Sequence, residues 1–194
     1  MNEREWLSAR SSPLEMIEGV LQIASERKLR LLACACALAS GIPLGDAERR
    51  IISMGERYAD EPSDCDIVEV RRTVHRDTRY AGLWLTIADN VRDRFLPVFG
   101  HEYLLWADKA YCSPIRDIFG NPFRPVAFDP SWRTEAAVGI ARGIYEDRAF
   151  ERMPILADAL EEAGCCNVDI LSHCREPGEH VRGCWVVDLV LGKV

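Results

Sequence analysis

The chain has 194 residues, a formal net charge of −7, 48% hydrophobic residues and 28% charged residues. This length and composition are typical of a globular protein that buries a core without disulfide support, and they exclude a disordered chain. The acidic charge argues against a broad nucleic-acid-binding face, because phosphate contacts need clustered Lys and Arg side chains.

The sequence predicts a cytoplasmic protein without a membrane segment. Its longest apolar run, residues 31–39, is far shorter than the roughly 20 residues that span a bilayer. The N-terminus is acidic and polar, so it does not resemble a secretory signal. In the cytoplasm the eight cysteines are expected to be reduced thiols or metal ligands rather than disulfides.

Hydrophobic residues at helical spacing predict three helices in the first 60 residues. Pro13 is a suitable first-turn residue for the first of them. The second covers residues 26–40 and becomes apolar on every side, which is typical of a buried central helix. Asp46 is a suitable residue to begin the third, which ends at a break over residues 60–62.

The middle of the chain, residues 63–110, is also predicted to be mainly helical. A helical pattern runs over residues 63–94, although β-branched residues at 67–74 leave a strand as the alternative. Arginines at 69–79 could contact RNA or an acidic partner, but acidic residues alternate with them and favour an exposed helix face. A short helix is predicted at residues 101–110.

A short helix beginning at Ser113 leads into a proline-rich segment. We predict that residues 121–132 form an extended strap, because Pro122, Pro125 and Pro130 exclude a continuous helix or a central strand. Its aromatic and apolar side chains make it too hydrophobic for a free linker. The strap is therefore expected to pack on the body of the protein.

Three further helices and a last apolar segment are predicted after the strap: residues 134–145, 154–163, 167–174 and 181–191. Valines in the last segment leave a short strand as its alternative. The predicted fold is a single all-α domain over residues 1–194, a compact array of about eight helices with a C-terminal subdomain at 113–194. Trp6, Trp132 and Trp185 are expected to contribute to burial.

Long sequence blocks lie at both ends of the chain. They are EWL (residues 5–7), SERKLRLLACAC (25–36), DIFGNPFRPV (117–126), LADALEEAGC (156–165) and HCREPGEHVRGCWVVDLVLGK (173–193). These blocks resemble a family of uncharacterised bacterial proteins that occur as many paralogues, in which they flank a variable middle. The resemblance implies that residues 60–112 form a variable insert. The family has no known activity, so the resemblance implies no catalytic residues.

Cysteine and histidine residues are concentrated near the C-terminus: Cys165, Cys166, His173, Cys174, His180 and Cys184. Zinc takes four nitrogen or sulfur ligands in a tetrahedron. His180 and Cys184 are four residues apart, so a helix would place both on one face. We therefore assign Cys165, Cys174, His180 and Cys184 as candidate zinc ligands. The alternative is that the cysteines are buried apolar thiols, since the cluster lacks a C-x-x-C pair.

The same segment admits a nucleophilic interpretation. Cys184 and His180 could form a thiolate–imidazolium pair, with Asp188 one turn further on. Side chains one turn apart on a helix seldom point towards each other, however. The simpler alternative is that these residues form a helix face without a catalytic role. No catalytic residue is assigned.

Arg124 and Trp132 are candidate binding residues in the strap. An arginine flanked by aromatic residues can bind a carboxylate or a phosphate, or stack on a ring. The alternative is a structural ion pair between Arg124 and an acidic helix residue such as Asp117, Glu161 or Glu162, and we favour it because structural ion pairs are commoner than binding sites.

Three functional hypotheses follow. The first is a non-enzymatic protein-interaction or regulatory module with an unknown protein partner. The second is a binding domain stabilised by zinc. The sequence favours a protein without a cofactor, and zinc is the alternative. The third is a cysteine-dependent hydrolase or transferase, although the sequence contains no recognised catalytic signature.

Overall fold

The computed structural model describes residues 1–8, 10–39, 41, 43–62, 68, 92 and 109–193. Every regular element among these residues is helical, so the predicted all-α class is confirmed. The described α-helices, in chain order, are α1 Glu3–Trp6, α2 Pro13–Leu21, α3 Glu26–Ala39, α4 Asp46–Asp60, α5 Cys112–Phe119, α6 Glu135–Asp147, α7 Met153–Glu162, α8 Val168–Arg175 and α9 Trp185–Leu191. Short 3₁₀ turns cover Lys109–Tyr111, Pro130–Trp132 and Phe150–Arg152.

The middle of the chain is mostly outside the described residues. The helical pattern predicted for 63–94, its strand alternative at 67–74 and nearly all of the helix predicted for 101–110 lie there. The variable insert predicted at 60–112 is therefore described only at its two ends, residues 60–62 and 109–112, together with residues 68 and 92.

Local sequence signals set several helix ends. Pro13 opens α2, where its fixed φ suits the first turn and its missing N–H group costs no hydrogen bond. The Thr134 hydroxyl accepts the Ala137 N–H at 3.2 Å, and Asn167 Oδ1 accepts the Ile170 N–H at 3.1 Å. These side chains satisfy N–H groups that have no partner inside α6 and α8.

Two large hydrophobic clusters form the interior. The N-terminal cluster joins α1, α2, α3 and α5 around residues such as Trp6 and Leu32. The C-terminal cluster joins α6 to α9 around residues such as Leu156 and Val187. Helix α3 is buried from residue 29 to 37, as its all-round apolar pattern predicts, and a smaller cluster lies between it and α4.

The strap over residues 121–132 packs against the C-terminal cluster through Val126, Phe128 and Trp132. Phe128 and Trp132 meet edge to face, with their ring centroids 5.4 Å apart. Trp6 is almost fully buried, whereas Trp132 and Trp185 are partly buried. The apolar side chains hold the strap on the body of the protein, which explains why a segment without regular hydrogen bonding is not a free linker.

A largely buried group of charged residues and one tyrosine, here called the central ion network, connects the two halves of the chain. Its members are Arg27, Asp60, Tyr145, Arg182, Asp188 and Lys193. Arg27 on α3 donates to Asp188 Oδ2 at 2.7 Å, to Asp60 Oδ1 at 2.8 Å and to the Tyr145 hydroxyl at 2.7 Å. Burial opposes the ionisation of Asp60, but hydrogen bonds from Tyr145 and Arg27 outweigh it and lower the pKa of this carboxyl. The network therefore favours the ionised form of Asp60 although this carboxyl is largely removed from water.

The last helix begins later than its hydrophobic pattern predicts. The sequence suggests a helix over 181–191, whereas α9 begins at Trp185 and residues 181–184 form a turn. Gly183 has a φ of +95°, which residues with a side chain rarely adopt, and a right-handed helix cannot pass through it. His180 and Cys184 therefore do not share a helix face.

Replacing Gly183 with alanine is expected to destabilise the protein by about 1–3 kcal/mol. A Cβ atom at this position would lie 2.8 Å from Cδ1 of the buried Leu31, and the positive φ adds backbone strain. Denaturant unfolding followed by circular dichroism measures the change. Gly178→Ala is the control, because a Cβ there meets nothing within 4 Å, and it should change the free energy of unfolding by less than about 0.5 kcal/mol. Equal effects of the two substitutions would contradict the prediction.

Among the described residues, no helix combines the length and the apolar character that crossing a bilayer requires.

Candidate metal centre

Four side chains of types that can bind a metal meet where the C-terminal end of α5 faces the segment between α8 and α9. Asp117 lies in the last turn of α5, and His173 lies in the last turn of α8. His180 and Cys184 belong to the segment that follows, with Cys184 directly before α9. The site therefore draws on three parts of the chain, and the packing of α5 against this segment brings them together.

The four potential ligand atoms all lie within 4.8 Å of one another. His173 Nε2 is 3.1 Å from Asp117 Oδ1 and 3.2 Å from Cys184 Sγ, and His180 Nδ1 is 2.6 Å from Asp117 Oδ1. Ligand atoms around a tetrahedral zinc ion are separated by about 3.3–3.8 Å, given metal–ligand bonds of about 2.0–2.3 Å. The distances within the group lie on both sides of this range, so the group could hold a metal ion after the side chains adjust.

The group is nearly closed to solvent. Cys184 is fully buried, and the side chains of Asp117, His180 and His173 are 4%, 8% and 22% exposed. Burial, with a further contribution from the Asp117 carboxylate, raises the pKa of the Cys184 thiol well above its ordinary value. Without a cation at the site, the thiol therefore stays protonated.

The Asp117 carboxylate is held in one orientation. Its Oδ2 atom accepts the backbone N–H of Val181 at 2.8 Å, which leaves Oδ1 directed at the two imidazoles. Burial opposes the ionisation of Asp117, but hydrogen bonds from His173 and His180 lower the pKa of its carboxyl. A buried carboxylate fixed by a backbone donor resembles the oriented ligands of protein metal sites.

The structure brings together two of the four residues that the sequence suggested as zinc ligands. His180 and Cys184 belong to the group, whereas Cys165 and Cys174 lie outside it and pack in the C-terminal cluster. Burial raises the pKa of Cys174 to about 12 and also raises the pKa of Cys165. These two cysteines have the properties of buried apolar thiols.

Asp117 and His173 were not among the ligands predicted from the sequence. His173 stood in the C-terminal group of cysteines and histidines but was not chosen as a ligand. It lies three residues after the buried Ile170 and therefore shares the inward face of α8, which is a signal that could have identified it. Asp117 has only a weak signal, a carboxylate directly beside the buried Ile118 on a short apolar helix.

The nucleophilic interpretation of Cys184 finds different neighbours from those that the sequence suggested. The Asp188 side chain binds Arg27 in the central ion network, and His173 lies at hydrogen-bonding distance from the Cys184 sulfur. His173 approaches both the sulfur and Asp117 through the same atom, Nε2. A nucleophile–base–acid relay uses both ring nitrogens of the histidine, so the geometry favours metal binding over nucleophilic catalysis.

The two candidate binding residues of the strap lie apart from this centre. Arg124 is 61% exposed and forms an ion pair with Glu3 at 2.7 Å. The structural ion pair therefore exists, but its acid lies on α1 rather than at Asp117, Glu161 or Glu162. Trp132 packs against Phe128, as described above.

Comparisons with known protein families, with curated proteins and with solved structures found no match. The resemblance to a bacterial family with many paralogues therefore stays a prediction.

Proposed function

We propose that this protein is a non-enzymatic helical domain that binds one zinc ion through Asp117, His173, His180 and Cys184. The observation that carries the proposal is the convergence of one oxygen, two nitrogen and one sulfur ligand atom within 4.8 Å. Four ligands of these types suit the tetrahedral coordination of zinc.

Charge balance supports a divalent ion at this position. Two neutral imidazoles, one carboxylate and one thiolate carry a total charge of −2, which a zinc ion neutralises. A neutral centre is favourable where the ligands are removed from water, because an uncompensated buried charge is costly. The thiol whose pKa burial raises would be deprotonated by the ion itself.

The ion is proposed to have a structural role. All four tetrahedral positions are taken by side chains, whereas catalytic zinc sites keep one position for water or substrate. The ion would join Asp117 on α5, a helix that packs in the N-terminal cluster, to Cys184, which packs in the C-terminal cluster. It would thereby hold together a domain that can bind other molecules through its surface.

Metal analysis of the purified protein tests the proposal. We expect about one zinc ion per chain, and less than about a tenth of an equivalent after incubation with zinc would contradict it. Cys184→Ala and His180→Ala should lose the metal. Cys174→Ala is the matched control, because it removes a buried thiol on α8 that lies outside the ligand group. This variant should retain the metal.

Cobalt substitution of the unmodified protein provides a second measurement, which does not require a variant to fold. Co²⁺ bound to the unmodified protein should show the thiolate-to-cobalt absorption band and the intense visible bands of a tetrahedral complex. The thiolate band should be absent in Cys184→Ala and present in Cys174→Ala. A spectrum of octahedral cobalt without thiolate absorption in the unmodified protein would overturn the proposed ligand set.

A further inference from the structure

A groove of about 360 Å³ lies beside the metal centre, and nothing in the proposed function uses it. Residues from α1, α5, α8, the strap and the start of α9 line it, and His173 stands between the groove and the centre. Its volume lies within the range of about 300–1,000 Å³ that small-molecule sites occupy. The groove is therefore large enough for a small ligand.

One donor group in the groove has unused hydrogen-bonding capacity. Arg116 on α5 donates through Nε and Nη2 to the carbonyl oxygens of Trp6 and Ser8 and to the Ser11 hydroxyl. Within the described part of the chain, its Nη1 has no acceptor and no acid forms an ion pair with it. A guanidinium nitrogen that is free to donate can form a charge-assisted hydrogen bond to a carboxylate.

Two acidic residues, Asp169 and Glu176, line the same groove. Asp169 lies in the first turn of α8, and Glu176 follows its last residue. Both side chains are exposed, and neither has an ion-pair partner among the residues that the structure describes. They provide carboxylates for a cationic group of a ligand.

Aromatic rings complete the lining. Phe119 and Trp185 line the groove, and the Trp185 ring packs beside His173 with the centroids 5.2 Å apart. Gly120 leaves room for the Trp185 ring, because a Cβ atom at residue 120 would lie only 3.1 Å from Trp185 Cδ2. The groove thus combines an apolar surface with the free Nη1 of Arg116 and two carboxylates, and its other arginine, Arg124, is paired with Glu3.

We propose that the groove binds a zwitterion of the amino-acid type, either a free α-amino acid with an apolar side chain or a short peptide. Its carboxylate would bind Arg116, its ammonium group would bind Asp169 or Glu176, and its side chain would pack on Phe119 and Trp185. The guanidinium, the carboxylates and the aromatic rings of the groove would then each contact a different part of the ligand. The proposal does not depend on zinc at the neighbouring centre.

Calorimetric titration of the full-length protein with L-leucine and with the dipeptide leucyl-leucine tests this proposal. Saturable binding of either probe is expected, and the tighter of the two distinguishes a free amino acid from a peptide. N-acetyl-L-leucine lacks the ammonium group and L-leucinamide lacks the carboxylate. Each should bind at least about tenfold more weakly than leucine, because a hydrogen bond to a charged group is lost.

A double variant at the two exposed acids, Asp169→Asn with Glu176→Gln, should weaken binding at least about tenfold without unfolding the protein. Glu162→Gln is the matched control, since it neutralises an exposed acid on α7 that does not line the groove, and it should leave the affinity unchanged. Absence of saturable binding of both probes would overturn the proposal. Equal affinity for the blocked and the zwitterionic probes would also overturn it.

Discussion

Replacing Arg27 with methionine is expected to lower the free energy of unfolding by about 3–5 kcal/mol, because it removes one partner of a buried ion pair. Asp188 is 1% exposed, and Arg27 binds both of its carboxylate oxygens, at 2.7 and 3.0 Å. Without the guanidinium, the carboxylate is left buried without a partner. Thermal unfolding should show a fall in Tm of about 6–20 °C, given about 2–4 °C per kcal/mol for a chain of this size.

Arg175→Met is the matched control for this prediction. Arg175 binds Asp158 and Glu161 at similar distances, 2.7 and 2.6 Å, but these three side chains are well exposed. Exposed ion pairs contribute only about 0–1 kcal/mol. The double variant Arg27→Met with Asp188→Asn should recover part of the lost stability, since it removes the orphaned charge. If Arg27→Met costs no more than Arg175→Met, the central ion network does not stabilise the fold as described.

Removing zinc is expected to lower the free energy of unfolding by an amount similar to that expected for Arg27→Met. A ligand that binds only the folded state at 1,000 times its dissociation constant stabilises that state by about 4 kcal/mol. The Tm of zinc-loaded protein should therefore exceed that of chelator-treated protein by about 8–16 °C. Differential scanning calorimetry with and without a chelator measures this difference.

Variants show whether the stabilisation arises at the proposed centre. In Asp117→Asn and Cys184→Ala the difference between the zinc-loaded and the chelated Tm should largely disappear. Cys174→Ala should lower both Tm values, because it leaves a cavity in the core, but it should preserve the difference between them. An unmodified protein whose Tm does not respond to zinc or to a chelator would contradict a structural metal.

Much of the fold follows from local patterns. The all-round apolar character of α3 indicates a buried helix, and the three prolines between residues 121 and 132 indicate a packed strap. The start of α9 does not follow from hydrophobicity, because Val181 precedes Gly183 and a run of apolar residues follows it. The positive φ of Gly183, which only the tertiary structure reveals, keeps the helix from beginning before residue 184.

The sequence by itself determined that the chain is helical and that sulfur and nitrogen donors are concentrated between residues 165 and 184. Only the tertiary structure decided which of these donors meet. Cys174 is next to His173 in sequence, yet adjacent residues on a helix point about 100° apart, and its sulfur enters the core. Asp117 is far from both histidines in sequence, and its carboxylate reaches them because the packing of α5 places it there. Spacing along the chain fixes neighbours within one helix, whereas the burial of apolar faces fixes the distances between helices.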